Sequence, residues 1–527
     1  MRFLIPKYNL TVKDVIAVSR NQVKVTISQL GKQNIERSNQ RLTKILESGK
    51  PVYGVNTGFG ALVEKSIPKA KYSELQTNLI KSHALGTGDF LEKEVVRAGM
   101  FLRANMLAKG YSGVRLSLVR LLTEMLNRDV VPLVYEKGSV GASGDLAPLA
   151  FIGLVLIGKG KAYYQDRLMS GRNALKKAGL TPLVLQPKEG LALINGTEMM
   201  SALGALNVDK VKHLTDLADI AGALSFVALG GNRQAFSQRL AQLKPYPGQK
   251  ITTRNLSQLL KTNGQINFAL STKAANGQQP SVIQDAYSLR CLPQVNGAVR
   301  ETLRFVTAIV ETEIKSVSDN PIIFDEGKPL ISPFFKEKSF WGFKGAKPLC
   351  DDVIVSGGNF HGQAIALAMD NLAIATCVLA GIAERLIARL LDSKLSNLPP
   401  FLTPNPGVNS GLMMAQLLAV TLQTENKVLS TPASIQSLPT SANQEDFVSM
   451  GMDSALKAKK VISNTQTILA LELICACQAI ELAKIKLNKR LQGYFDFIRT
   501  FVPFQKNDQE LTDALHNLLQ NIEKIRL

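Results

Sequence analysis

The chain has 527 residues, which is ample for a large core and fits a single extended helical fold as well as several domains. Its cysteines are too few and too unevenly spaced for a disulfide framework, which favours a reducing cytosol; they are Cys291, Cys350, Cys377, Cys475 and Cys477. The net charge of +20 is spread along amphipathic stretches without an RNA-binding motif, so it predicts a solvated surface and no nucleic-acid partner.

Neither secretion nor a membrane span is expected. The N-terminus reaches Pro6 before an apolar signal core can form. The longest apolar stretch, residues 362–391, carries Asp370, Glu384 and Arg385 at helical spacing, where a membrane span tolerates few such groups. It therefore predicts a helix buried among other helices in a cytoplasmic protein.

The pattern of apolar residues predicts a mainly α fold. Up to about residue 200, short helices alternate with glycine-rich loops; they are expected at 73–82, 92–108 and 112–127. Long periodic stretches follow and should form a central bundle, at 191–229, 295–317, 362–391, 408–429 and 446–482. A pair of short amphipathic helices ends the chain.

We divide this one integrated fold into an N-terminal region (1–200), a long-helix region (201–490) and a tail (491–527). Two polar connectors, 231–280 and 320–352, are long enough to be functional loops, and the second contains the only tryptophan, Trp341.

The triplet Ala142-Ser143-Gly144 can build an electrophile from the chain itself. Gly144 has no Cβ, so its amide nitrogen can approach and attack the Ala142 carbonyl to close a five-membered ring. Loss of water from the ring and then from Ser143 leaves a methylene group conjugated to an imidazolone. The product is an electron sink, which none of the twenty side chains provides.

Further motifs occur along the chain around this triplet. They are residues 53–60 (YGVNTGFG), 195–197 (NGT), 284–290 (QDAYSLR), 356–361 (SGGNFH) and 441–446 (SANQED). With the triplet, in this order, they resemble the aromatic amino acid ammonia-lyases that use 4-methylidene-imidazol-5-one (MIO), and among these most closely the histidine enzymes. The resemblance covers most of the chain and implies a homotetramer of long helices whose active sites are each assembled from three subunits.

The resemblance also implies roles for individual residues. Tyr53 is the base that removes the Cβ proton, and its glycine-rich segment is flexible enough to close as a lid. Arg290 clamps the substrate carboxylate with its planar guanidinium. Asn195 binds the substrate or the imidazolone, Gln284 and Tyr287 order the same pocket, and Phe360 is an aromatic wall beside the electrophile.

Two positions point to L-histidine as the substrate, with trans-urocanate as the product. The chain has Ser82-His83, as the histidine enzymes do, where the phenylalanine enzymes have an apolar pair and the tyrosine enzymes His-Leu. It also has Glu445 where those two classes usually have an amide. A histidine and a carboxylate can hold an imidazole ring by charge-assisted hydrogen bonds.

Two departures from the histidine pattern leave other substrates open. The chain has Phe447 where histidine is usual, and Ala286 where proline is expected. Phe447 makes the pocket more apolar, so a tyrosine or phenylalanine ammonia-lyase, or a 2,3-aminomutase, is the alternative. A noncatalytic helical scaffold or polyanion-binding protein is the remote one.

Two further expectations concern charged and metal-binding groups. Asp145, directly after the triplet, can assist cyclisation or cap the helix that begins near Leu146. No metal is expected to be essential, because the four histidines show no paired ligand spacing; they are His83, His213, His361 and His516.

Overall fold

The computed structural model describes residues 2–20, 23–261, 284–324 and 353–527. Most of this sequence is helical. The helices are α1 Val12–Ser19, α2 Gln29–Glu47, α3 Tyr72–His83, α4 Lys93–Leu107, α5 Leu116–Asn127, α6 Ala147–Leu156, α7 Gly171–Lys177, α8 Glu189–Ile194, α9 Glu198–Ala228, α10 Gln238–Leu243, α11 Pro247–Leu259, α12 Tyr287–Arg290, α13 Leu292–Glu313, α14 Gln363–Leu391, α15 Ser393–Ser396, α16 Met413–Leu429, α17 Gly451–Leu482, α18 Lys489–Arg499 and α19 Thr512–Asn521.

Within the described ranges, the strands are short and form four small sheets. They are β1 Arg2–Ile5, β2 Lys24–Ile27, β3 Thr87–Phe90, β4 Val131–Pro132, β5 Tyr135–Lys137, β6 Lys161–Tyr164, β7 Arg167–Ser170, β8 Ile322–Ile323 and β9 Ile354–Val355. Strands β1 and β2 pair in parallel, with Arg2 opposite Lys24. The pairs β3–β5 and β8–β9 and the sheet β4–β6–β7 are antiparallel. The mainly α prediction is confirmed.

The chain divides into two compact units. Unit 1 contains residues 1–206, 307–369 and 432–456, and unit 2 contains 207–306, 370–431 and 457–527. Four of these boundaries fall inside helices, α9, α13, α14 and α17. Each unit is therefore assembled from segments that are distant in sequence.

Three helices of unit 1 pack against one another and bring the predicted site residues together. They are α3, α6 and α8. His83 is the last residue of α3, the triplet leads into α6, and Asn195 caps the end of α8. The fully buried Gln76 on α3 joins this group to the loop of Tyr53, because its amide donates to the Gly54 carbonyl and accepts from the Leu191 amide.

Polar side chains connect the long helices within unit 2. Buried Asp219 on α9 accepts hydrogen bonds from Asn255 on α11 and from Asn296 and Arg300 on α13. Such pairing offsets the cost of burying a charge. Asn464 on α17 donates to Asn426 on α16 and to Glu425. These contacts fit the predicted bundle.

The predicted helices match the observed ones to within a few residues, with two differences. The expected helix 191–229 is interrupted at 195–197, which separates α8 from α9. The connector predicted from residue 231 contains helices α10 and α11 instead of a long loop. Helix α11 begins with Pro247, and its buried residues, such as Thr252 and Leu256, recur at helical spacing. The rest of that connector, and residues 325–352, lie outside the described residues.

Two helices in the described part of the chain are long and apolar enough to cross a membrane by length and composition alone. Their most apolar windows have mean hydropathies of 1.9 in α14 and 1.3 in α17, and 67% and 78% of these windows are buried within the protein. Such burial is typical of core helices. Cys475 and Cys477 on α17 are fully buried, and burial raises the pKa of both thiols, that of Cys477 to about 12. They are therefore unreactive packing residues.

Glu472 makes the stability of the protein depend on pH. Its carboxyl group is buried on α17 and accepts a hydrogen bond of 2.8 Å from the Ser225 hydroxyl. Burial raises the pKa of Glu472 from 4.5 to about 8. Because the pKa is higher in the folded state, this group's contribution to stability is complete below pH 4.5 and is lost as the pH rises through 8.

We expect Glu472→Gln to stabilise the protein at pH 8.5, because the amide keeps the hydrogen bond and cannot ionise. The gain should be on the order of 2–4 kcal/mol at pH 8.5 and close to zero at pH 4.5. Thermal unfolding at the two pH values measures it. A difference in Tm that is the same at both would contradict ionisation as its cause.

Candidate active site

One cavity of unit 1 is lined by six of the predicted site residues of this unit. Its volume is about 600 Å³, and its lining includes Tyr53, His83, Ser143, Asn195, Phe360 and Glu445. These residues come from six separate segments of the chain. The largest separation among them, from Tyr53 to Glu445, spans about three quarters of the sequence.

The triplet is held in a tight bend at the wall of this cavity. Gly144 has φ +75°, and a Cβ there would lie 2.2 Å from the Gly196 carbonyl oxygen, so only glycine fits. The amides of Asp145 and Leu146 donate to the carbonyls of Gly196 and Ile194. Ala142 is 6% exposed, whereas Ser143 is accessible from the cavity.

Asp145 caps helix α9 and not helix α6, which follows the triplet and was the helix expected. Its carboxylate accepts hydrogen bonds from the amides of Met199 and Met200, in the first turn of α9. Helix α6, which follows the triplet, begins without a side-chain cap at Leu146. Complete burial raises the pKa of Asp145 well above its usual range. Asp145 thus anchors the triplet to the start of a long helix.

Tyr53 lies in a turn that closes over one side of the cavity. Its phenol oxygen accepts a hydrogen bond of 3.1 Å from the Gly60 amide, so its own proton is free for another acceptor. The ring meets Phe59 edge to face, at 6.5 Å between centroids. Gly54, at φ +64°, leaves no space for a side chain beside Phe59 and Leu191. The turn therefore packs closely around the tyrosine.

His83 and Glu445 line the cavity, and each has a hydrogen-bond partner in the protein. The Nδ1 atom of His83 lies 2.9 Å from the Leu79 carbonyl, which can only accept, and 3.0 Å from the Ser82 hydroxyl, which can also accept. Both contacts suit a proton on Nδ1, which leaves Nε2 as an acceptor. Burial lowers the pKa of His83, while the Leu79 bond and Glu445 oppose the shift. Glu445 accepts a hydrogen bond of 2.8 Å from the Thr440 hydroxyl.

Phe447 is not among the residues that line this cavity. Its ring is stacked on His361, with 6.3 Å between the ring centroids. Phe447 is 60% exposed. The His361 ring nitrogen Nε2 lies 3.2 Å from the Phe447 carbonyl. The expectation that Phe447 makes the pocket more apolar finds no support in unit 1.

The remaining three predicted residues belong to unit 2. Tyr287 and Arg290 are the ends of the single-turn helix α12, and Gln284 precedes it. The Arg290 guanidinium lies 4.5 Å from the centre of the Tyr287 ring, and its Nε has no partner among the described residues. Tyr287 is 71% exposed. None of the three lines the cavity of unit 1.

Sequence reasoning missed several residues that shape the site. Asn320 lines the cavity, and its backbone carbonyl accepts a hydrogen bond from the Asn195 side-chain amide. Its own side chain is bound by Ser356 and Gly357, which belong to the motif 356–361. Arg103 is buried and donates to the Asn195 carbonyl. The polar pair Asp319-Asn320 directly before a proline, at the end of an amphipathic stretch, was the available signal.

Comparison with known proteins now identifies the family. A sequence model described as aromatic amino acid lyase matches residues 10–500. The chain belongs to the aromatic amino acid lyase family. The resemblance inferred from the motifs is thereby confirmed, and with it the prediction of a carbon-nitrogen lyase. For an aromatic amino acid lyase of this family, the MIO group is an expected component.

Relatives of this aromatic amino acid lyase include histidine enzymes. It is 44% identical over 510 residues to the histidine ammonia-lyase of Caldanaerobacter subterraneus subsp. tengcongensis, covering 95% of this chain and 93% of that protein. The crystal structure of histidine ammonia-lyase from Trypanosoma cruzi has a TM-score of 0.86 at 35% identity, covering 99% of this chain and 94% of that one. Tyrosine aminomutase from Streptomyces globisporus has a TM-score of 0.89 at 34% identity, covering 99% and 97%.

In the described ranges, no three histidine, cysteine, aspartate or glutamate side chains form a group that could hold a metal ion. The expectation that the aromatic amino acid lyase needs no metal stays a prediction.

Proposed function

We propose that this chain eliminates ammonia from L-histidine and releases trans-urocanate, with MIO formed from Ala142, Ser143 and Gly144. The observation that carries the proposal is the cavity of unit 1, which is lined by Tyr53, Ser143 and Asn195 and also by His83 and Glu445. The similarity to histidine ammonia-lyases over nearly the whole chain supports it.

The backbone around the triplet fits the group. Gly144 is packed so closely on Gly196 that no side chain is possible there, and a bare amide is what attack on the Ala142 carbonyl requires. Ser143, whose hydroxyl must leave as water, is the member of the triplet that lines the cavity. Once formed, MIO supplies the electron sink that makes the amine a good leaving group.

We assign to Tyr53 the removal of the Cβ proton. An amide donor, the Gly60 N–H, already lies at its phenol oxygen and supports the negative charge that the oxygen carries as a base. The packing of the turn on Phe59 and Leu191 holds the ring at the cavity wall, so the base is placed before the substrate arrives.

We assign recognition of the imidazole ring to His83 and Glu445. The proton on Nδ1 of His83 is committed to Leu79, so Nε2 can accept an N–H of the substrate ring. When the substrate ring is protonated it carries a second N–H, which the Glu445 carboxylate accepts as a charge-assisted hydrogen bond. A phenyl ring offers neither group a partner and would leave the carboxylate desolvated, which disfavours phenylalanine. Phe360 supplies an apolar wall.

We further propose that the chain acts as a cytoplasmic homotetramer with shared active sites. Gln284, Tyr287 and Arg290 would then reach the cavity of another subunit, where Arg290 clamps the substrate carboxylate. Two observations support this: Tyr287 is largely exposed, and helix α16 carries several exposed apolar side chains, namely Met414, Leu417, Leu418, Val420 and Val428.

Turnover of a panel of amino acids tests the proposal. We expect the purified protein to convert L-histidine, with rising ultraviolet absorbance of urocanate and release of ammonia in equal amounts. L-tyrosine and L-phenylalanine should react at least about 100-fold less efficiently, because they leave the Glu445 carboxylate unpaired. Turnover of tyrosine or phenylalanine without histidine would overturn the substrate assignment, and a β-amino acid product would indicate an aminomutase.

A further inference from the structure

The side-chain amide of Asn195 lies at the cavity with its nitrogen hydrogen-bonded and its oxygen without a partner among the described residues. Its Nδ2 donates a hydrogen bond of 3.0 Å to the Asn320 carbonyl. Its Oδ1 is buried and has no partner among the described residues. Since Asn195 lines the cavity and is only 2% exposed, a bound molecule with an N–H group is the partner this oxygen lacks.

Asn320, which fixes Asn195, is itself held by three hydrogen bonds. Its amide donates to Oδ1 of Asp319 at 2.7 Å. Its side-chain oxygen accepts from the Gly357 amide at 2.7 Å and from the Ser356 hydroxyl at 3.1 Å. The Asn320 amide that Asp319 binds and the Asn320 carbonyl that receives Asn195 lie in neighbouring peptide groups on either side of one Cα, so Asp319 helps to fix the residue that holds Asn195.

Behind Asn320 lies a completely buried ion pair. The ammonium group of Lys188 donates to both oxygens of Asp319, each at 2.9 Å, and both side chains are 0% exposed. Burial lowers the pKa of Lys188, and Asp319 opposes this shift. Neither residue lines the cavity. A buried pair of this kind is poor evidence for a stability role, because apolar residues in its place are often as stable.

We propose that Lys188 and Asp319 are positioning residues: their ion pair orients Asn320, and through it turns the free oxygen of Asn195 toward the substrate. This inference rests on the proposed function. The substrate amine is the group that this oxygen would accept from, beside Ser143. Arg103 holds the backbone of the same residue, donating to the carbonyls of Asn195 and Ala192. Backbone and side chain are thus fixed independently.

The test uses the full-length protein and two variants of the ion pair. Asp319→Asn removes the negative charge and places an NH2 donor, in place of one of the two oxygens, against the buried Lys188 ammonium, so the ion pair cannot persist. The double variant Lys188→Met with Asp319→Leu removes both charges together, which keeps the protein folded if the single variant is not.

We expect kcat for L-histidine to fall at least about tenfold in both variants, with KM changed less than about threefold. Hydrogen–deuterium exchange should be faster in the segment 189–197, because Asn195 and Asn320 lose their fixed geometry. The imidazolone absorbance should persist, since the triplet does not contact the pair.

Asp219→Asn is the matched control. It weakens another buried ion pair, that of Asp219 with Arg300 in unit 2. We expect this control to lose about as much Tm as the variants of the Lys188–Asp319 pair, while its kcat stays within about twofold of the original. If both ion-pair variants keep the original kcat and exchange rates, or lose activity only as much as the control does, the positioning role is wrong. If the unmodified protein converts no amino acid, the proposed function fails, and exchange in segment 189–197 alone then decides the positioning role.

Discussion

Ser143→Ala is expected to lower kcat for L-histidine by a factor on the order of 1,000 or more, because alanine has no hydroxyl to lose as water and the electrophile is not completed. Intact mass spectrometry gives the second readout. The original protein should be lighter than its sequence by two water molecules, and the variant should not be. The fold should be retained, since the side chain only loses one atom at a cavity wall.

Ser139→Ala is the control for this experiment. Ser139 lies four residues earlier, is buried, and accepts a hydrogen bond from the Gly141 amide. We expect this variant to show the mass deficit and most of the activity. An original protein with the mass of the linear peptide would refute the imidazolone altogether, and with it the mechanism.

The double variant His83→Leu with Glu445→Gln is expected to lower kcat/KM for L-histidine at least about 100-fold, which corresponds to about 3 kcal/mol for two hydrogen bonds to a polar ring. Both side chains line the cavity, so their loss should change Tm little. Steady-state kinetics with histidine, tyrosine and phenylalanine measure the change. Equal activity of the double variant on histidine would remove the basis for the substrate assignment.

Phe447→His is the control for the specificity variant. It introduces the residue that the histidine enzymes usually have at this position. Because Phe447 is stacked on His361 and does not line the cavity of unit 1, we expect kcat/KM for histidine to stay within about threefold. A large gain would mean that this position contacts the substrate in the assembled enzyme.

Much of the helical structure could be predicted, because helix faces follow from the local spacing of apolar residues. The predicted segments 73–82 and 362–391 became α3 and α14 with nearly the same ends. The errors occurred where local pattern does not decide. The break between α8 and α9 exists because residues 194–196 bind the backbone after the triplet, a contact between segments about 50 residues apart.

The cavity residues also divide into those that the sequence could predict and those that only the structure revealed. Six of the residues that line the cavity could be predicted from sequence motifs, because these residue types rarely occur together in such motifs. Asn320 was missed because its role depends on its backbone carbonyl, which every residue has. The helix capped by Asp145 was misassigned because the carboxylate reaches across 54 positions to Met199 instead of forward along the chain.

The sequence by itself determined the position of the Ala142-Ser143-Gly144 triplet, the family and the mainly helical fold, since covalent order and apolar periodicity are local properties of the chain. The tertiary structure alone decided which segments share the cavity and which nitrogen of His83 is free. Only the tertiary structure brings Lys188 and Asp319, which are 131 residues apart in the chain, together behind Asn320 and Asn195. Those features depend on hydrogen bonds and packing between distant segments, and burial makes these contacts strong enough to fix one arrangement.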